Sequence, residues 1–494
     1  MITIAFFDDF AVQRQVQLRR RYFPLTVHDE SGYRHPEVSS TYASISYSPE
    51  QERYLLWYNT LTTPCIIGKQ SEQCRLALAE SRDGIHFQPA AVPGGESNFV
   101  YSGPHGSVHG AMVWRDEREA DPMRRYKCAA VIEKPGSVMS YSPGWIATSP
   151  DGRQWDGHDG RYRWSNYWSD TYNNLFYNPV LQAYQVILRA AGTDRRICTS
   201  TSTDLIHWSA PRVILSPDAE DPPCSEFYGM SVFEHQGIFY GYLWIYETDQ
   251  FDSVPYKMAG NVYSEFVYSL DGLQWKRTRQ KAVPLNPPGQ YGAWCNYLYN
   301  TCLNKEGNRW LTVGTFTLEG HGYGMYPKES ALPPVMPHGK SENNIFKICS
   351  IEPGRFCGLQ SVGLHGALRT KSLVMKSDVF TINAAVPNGE LCVQLIDSLG
   401  KPVPGFLFED SIPFRGDELA FVPRWRKRQL SEARDKHFAI EIQLQAGCIF
   451  GISGDFHPFH SSLPQQSYGD PRPAPMEVFG NTTKAPDYDG ILLR

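Results

Sequence analysis

The chain has 494 residues, with 47 Lys plus Arg against 52 Asp plus Glu (formal charge −5) and 41% hydrophobic residues. This balance supports a buried core, excludes a disordered chain, and argues against nucleic acid as the main partner, because phosphate binding asks for a basic excess or patch. No apolar run reaches about 18 residues, so no membrane span is expected, and Asp8 and Asp9 interrupt the N-terminus before a signal-peptide apolar region can form.

Eleven cysteines are scattered without any C-x-x-C spacing, which disfavours both a disulfide framework and a structural zinc site. They read as reduced core residues of a cytoplasmic protein. Aromatics make up 13% of the chain, beside 41 Gly and 36 Pro. That mixture suits many short strands joined by tight turns.

After an N-terminal segment, residues 1–29, one pattern repeats: Ser-x-Asp-[Gly/Leu]-x-x-[Trp/Phe]. Its copies are Ser81–Phe87, Ser149–Trp155, Ser202–Trp208 and Ser269–Trp275. A strand precedes each copy, and Asp with Gly forms a turn whose Asp side chain caps backbone amides. Upstream of each copy lies a pair of strands, the second rich in aromatic and aliphatic residues, such as Tyr42–Tyr47 with Tyr54–Tyr58 and Met230–Phe233 with Phe239–Trp244. Gly110–Trp114 with Arg125–Ala129, Asn174–Tyr177 with Tyr184–Leu188, and Tyr297–Leu303 with Arg309–Val313 complete five pairs. Copies at this spacing predict four-stranded blades. The expected fold is all-β: a five-bladed β-propeller over residues 30–358, then an antiparallel β-sandwich over 359–456, with an irregular tail at 457–494. The basic run Arg424–Arg428 reads as a solvated strand edge or loop, and Asn481-Thr-Thr483 fits a glycosylation acceptor that would need secretion.

With these hairpins, Phe7-Asp-Asp-Phe10, Leu55-Leu-Trp-Tyr58, Arg124-Arg-Tyr-Lys127 and Glu226-Phe-Tyr-Gly-Met230, the chain resembles the five-bladed propeller glycosidases. These are the invertase/levanase, arabinanase and anhydrogalactosidase-like families, with the mannoside phosphorylases as relatives; the chain is also similar to uncharacterised bacterial proteins described as glycosyl hydrolase-like. The resemblance spans about residues 5–455. It implies catalytic carboxylates where each blade's innermost strand starts, at the mouth of a central funnel.

Asp170, before Thr171-Tyr-Asn-Asn, and Glu226, before Phe227-Tyr-Gly-Met, fall at that position, and Glu37 is the third candidate acid. A glycosidase needs two carboxyls across the scissile bond, one protonated and one ionised. The pair is expected to face one pocket, about 5–10 Å apart, the span used by retaining and inverting enzymes. Glu226 is favoured as the acid because Phe227 and Tyr228 flank it, whereas Asn173 and Asn174 are placed to solvate Asp170. His109, Arg189, His321, Trp168, Tyr172, Tyr228 and Trp294 are the expected substrate-binding residues. The resemblance also implies an axial Ca²⁺ or similar ion, for which His109 is the candidate ligand. The invertase-type W-x-N-D-P-N, R-D-P and E-C-P signatures are absent, and Arg115-Asp116-Glu117 reads as a hairpin turn after its strand. The expected activity is exo-acting hydrolysis, or related glycosyl transfer, on an oligosaccharide or glycoside. A glycoside phosphorylase and a non-catalytic glycan-binding propeller are the alternatives, and a homo-oligomer is allowed.

Overall fold

The computed structural model describes residues 2–36, 38–61, 74–92, 97–105, 107–133, 143–166, 169–189, 195–248, 260–321, 343–363 and 365–458. They form an all-β structure with short 3-10 turns. Two compact units divide the chain: Pro24–Ile351, and Met1–Phe23 with Glu352–Arg494.

The larger unit is a series of up-and-down sheets. The first holds Ser39–Ser48, Arg53–Leu61, Arg75–Ser81 and Gln88–Pro89, with Phe99–Tyr101 added on Arg75–Ser81. The second holds Ser107–Arg115, Tyr126–Glu133, Gly144–Ser149 and Arg163–Ser165. The third holds Asn174–Asn178, Ala183–Arg189, Ile197–Ser202 and Arg212–Leu215. The fourth is Ser225–His235, Ile238–Thr248, Gly260–Ser269 and Trp275–Lys281. It is joined by a single bridge, Val262 to Cys295, to a fifth group of Cys295–Leu303, Trp310–Thr317 and Asn344–Ile351. Thr26–Val27 pairs with Cys349 and Ser350 and completes that group as its fourth strand.

The first strands pack in chain order, and the fifth returns to the first: Cys295–Leu303 lies against Ser39–Ser48. Their backbone edges are satisfied across these contacts by side chains, as buried polar groups require. Asn174 Oδ1 accepts the Val232 amide at 3.1 Å, Asn300 Oδ1 accepts the Ile45 amide at 2.7 Å, and Ser44 Oγ accepts the Val113 amide at 3.0 Å. A core of Ile45, Leu56, Met112, Leu175, Val186, Trp244, Tyr299 and Val313 fills the space between the sheets.

All four Asp turns have the same hydrogen bonds. The Ser hydroxyl donates to Asp Oδ1 (2.8, 3.1, 3.0 and 2.9 Å in chain order), and that oxygen accepts the two amides that follow the turn, at 2.8–3.0 Å. The next residue is left-handed in each copy: Gly84, Gly152 and Gly272 at φ 72–78°, and Leu205 at 66°. Leucine takes this strained conformation because its side chain is buried in the core. The turns also dock on the preceding sheet, where Trp57 Nε1 donates to Gly152 O at 2.7 Å and Gln185 Nε2 donates to Gly272 O at 2.8 Å. Asp151→Ala removes the acceptor for two amides. It is expected to cost about 1 kcal/mol, read as a lower urea midpoint with unchanged slope.

Residues before 30, read from sequence as a separate segment, belong to both units. Thr26–Val27 completes the fifth sheet, while Ile2–Ala5, Val12–Val16 and Leu18–Tyr22 pair with Cys448–Pro458, Gly366–Thr370 and Cys357–Ser361. The boundary expected at residue 358 falls instead between Ile351 and Glu352, because Cys357–Ser361 takes Leu18–Tyr22 as its partner. The smaller unit is built on one extended sheet around Leu373–Ile396, with its own core of Phe6, Met375, Ile382, Leu395, Trp425, Phe438 and Ile452. Most of the described cysteines are buried. From residue 459 the tail lies outside the described residues.

Candidate functional site

Irregularities in the first strands build the site. Register shifts occur at Tyr42, between His109 and Met112, at Tyr228, and between Leu298 and Thr301. Bulges of this kind re-aim side chains at functional edges. Tyr42 sits at φ 48° and Gly110 at φ 60°. Gly110 has a steric reason: a Cβ there would stand 2.0 Å from Thr171 O. The Asn173 amide and Nδ2 both donate to Gly110 O at 3.1 Å. This close approach seats residues 169–173 beside His109.

Asp170 lies in that loop, four residues ahead of its strand, and is gripped from two sides. His109 Nε2 is 3.1 Å from Oδ1, and Arg189 Nη2 donates to Oδ2 at 2.5 Å. Burial pushes the Asp170 carboxyl up, but the Arg189 guanidinium and the His109 hydrogen bond outweigh it and hold the group well below the usual carboxylate range. Glu226 already stands in its strand, opposite Tyr246, and its Oε2 accepts from Arg195 Nη1. The two ion pairs meet on one ring, with the Arg189 and Arg195 guanidinium carbons 5.1 and 5.6 Å from the Tyr228 centroid. His321 packs on the same ring at 4.7 Å and on Tyr246 at 5.2 Å, with its Nδ1 3.3 Å from the Tyr297 hydroxyl. Tyr42 closes the group, 5.4 Å from the His109 ring. Burial and the neighbouring Tyr228 and Asp170 push the Tyr42 phenol well above its ordinary pKa, so it stays a neutral donor.

Asp170, Glu226, His109, Arg189, His321 and Tyr228 therefore share one cluster. Tyr172 belongs below it: the ring is fully buried between Trp244 and Tyr299, and its hydroxyl is 2.9 Å from Ser44 Oγ. Phe227 is likewise a core residue, packed with Ile187 and Ile245. Asn173 and Asn174 do not solvate Asp170; their side chains bond backbone at Gly110, Thr171 and Val232. Trp294 is 37% exposed and makes no ring contact with the cluster among the described residues. Glu37 and Trp168 lie outside the described residues.

Sequence reading missed Arg195, Tyr246, Tyr297 and Tyr42. In an up-and-down sheet the start of the third strand and the end of the second share an edge with the start of the first. Arg195, just ahead of Ile197–Ser202, and Tyr246, near the end of Ile238–Thr248, could have been found by that rule. A divalent ion at His109 does not fit the described residues. No group of three His, Cys, Asp or Glu side chains converges there, and the guanidinium on Asp170 repels a second cation.

No family model and no curated protein matches the chain. Among solved structures it is similar to an N-acetylgalactosamine deacetylase from F. plautii in complex with blood group B trisaccharide (13% identity, 69% of this chain and 97% of that one, TM-score 0.43). It is also similar to a glycosyl hydrolase from Bacteroides ovatus (14%, 70% and 96%, TM-score 0.41). A β-fructofuranosidase from Bombyx mori is matched over 90% of this chain and 95% of its own (11%, TM-score 0.40).

Proposed function

We propose that Pro24–Ile351 is a five-bladed propeller, that the smaller unit is a β-sandwich, and that the cluster around Tyr228 hydrolyses glycosidic bonds at the end of a short glycan. The observation that carries this reading is the pair of carboxylates, Asp170 and Glu226, each held by its own arginine against one aromatic ring. Glycoside hydrolysis asks for one carboxylate that stays ionised and one carboxyl that cycles a proton. Asp170 fits the first role: it is anionic and fixed by two donors, suited to orient water or to face positive charge developing on the sugar ring. Glu226 takes the second. Its Oε2 rests on Arg195, and its Oε1, without a hydrogen-bond partner among the described residues, is the atom left to exchange a proton with the glycosidic oxygen. Tyr228 and Tyr297 keep a small exposed aromatic edge for a sugar, and the fully buried Tyr246 packs behind Tyr228.

The pH dependence follows from Asp170. Its folded pKa is depressed, so its ionised form, and the stability that goes with it, are present above the unfolded value and lost only as pH falls through the lower folded value. Activity that needs this anion should persist through the ordinary carboxylate range. Arg189→Met removes the main opposing charge and leaves only His109 to offset burial, so the acidic limb of the rate profile is expected to move to higher pH. An unchanged limb would show that Asp170 does not set it.

A phosphorylase is the second reading, because Arg189, Arg195, His109 and His321 come together here. Aryl glycosides assayed with and without inorganic phosphate separate the two. Binding of glycans without turnover in either arm would leave a binding propeller.

A further inference from the structure

The two site arginines are not used up by their carboxylates. Arg189 gives Asp170 only Nη2, and Arg195 gives Glu226 only Nη1, so neither fork is bidentate. The Arg189 side chain is 10% exposed, and its Nη1 is buried without a hydrogen-bond partner among the described residues. Arg195 is 21% exposed, and its remaining nitrogens also have no partner among those residues. Both guanidinium groups lie beside the Tyr228 ring, 5.1 and 5.6 Å from its centroid, which places them in one region of the fold.

A buried cationic N–H without an acceptor is costly, and its strongest acceptor is an anionic oxygen. A guanidinium edge matches a planar carboxylate better than a single hydroxyl. The charges facing this region are Asp170 and Glu226 against Arg189 and Arg195, with His109 and His321 adding positive charge when protonated. An incoming anion therefore does not enter a negative field.

We propose that the spare donors of Arg189 and Arg195 form an oxyanion subsite, and that the sugar bound there is acidic, carrying its own carboxylate as a uronic acid does. This rests on the glycan reading of the same site. The test is calorimetric binding of glucuronate and galacturonate, beside glucose, galactose and inorganic phosphate, to the full chain. The uronates are expected to bind at least about tenfold more tightly than the matched neutral sugars, one unit of log Kd being about 1.4 kcal/mol. Arg195→Met should erase that preference, and Arg195→Lys should restore part of it. If the Met variant does not fold, the wild-type preference alone decides. Equal or weaker binding of the uronates, or binding of phosphate without the uronates, overturns the proposal. Uronate binding with no turnover of any glycoside would sink the hydrolase reading and leave the subsite standing. Turnover of neutral glycosides without uronate preference would do the reverse.

Discussion

Asp170→Asn and Glu226→Gln are each expected to lower turnover by about 10²–10⁴-fold, the range lost when positioned acid–base help is removed. Both changes keep shape and remove an ionisable group. In the first, the amide still offers Arg189 or His109 an acceptor but no charge, so the attacking water loses its base or the sugar loses its counter-charge. In the second, the group that must exchange a proton cannot do so. Asp170→Asn also leaves the Arg189 guanidinium without its counter-ion, so some loss of stability is expected there. Turnover should therefore be measured well below each variant's melting midpoint, with circular dichroism to show that the sheets persist. Near-wild-type turnover in either folded variant would overturn its assignment, and Glu37 would be the next acid to replace.

The parts of this molecule legible in its sequence are those built from local chemistry. The Asp turns were readable because Ser, Asp and a left-handed residue within a few positions satisfy each other and the adjacent amides. The second strands were readable because buried strands such as Ile238–Thr248 run almost uninterrupted in apolar and aromatic residues. What was not legible depends on partners far away in the chain. Thr26–Val27 is too short for any periodicity, and only its pairing with Cys349 and Ser350 gives it a place. Asp170 and Glu226 look equivalent in offset from sequence, yet one lies in a loop tied to Gly110 and the other in a strand, paired with Tyr246. Aromatic character marks Tyr172 as a substrate-binding residue; alternation and the bulges decide instead which tyrosines face the cluster, and they choose Tyr42 and Tyr228.

Lys127→Met is expected to be among the most destabilising single changes in the larger unit, at about 3–5 kcal/mol, the cost of leaving a buried charge without its partner. The Lys127 ammonium and the Asp116 carboxylate are both fully buried. The three ammonium hydrogens have three acceptors: Asp116 Oδ2 at 2.9 Å, Glu119 Oε2 at 3.0 Å and Arg124 O at 3.2 Å. The rings of Trp114 and Tyr184 lie 5.9 Å from the same nitrogen and keep the group dry. Methionine fills much of the space but leaves Asp116, among the described residues, with only the Arg118 amide at 3.1 Å and the Tyr184 hydroxyl at 3.4 Å. Asp116 thus belongs to the packing of the hairpin after Ser107–Arg115, at the opposite end of that strand from His109, although Arg115-Asp116-Glu117 resembles a catalytic triplet by eye. Turnover measured well below the melting midpoint should accordingly change little, while the urea midpoint falls. Adding Asp116→Asn should recover part of the loss, since it removes the stranded charge; a non-additive cycle of this kind is expected for groups in direct contact. A Lys127→Met variant within about 1 kcal/mol of wild type, or a double variant worse than the single one, would show that this pair is not what holds the hairpin.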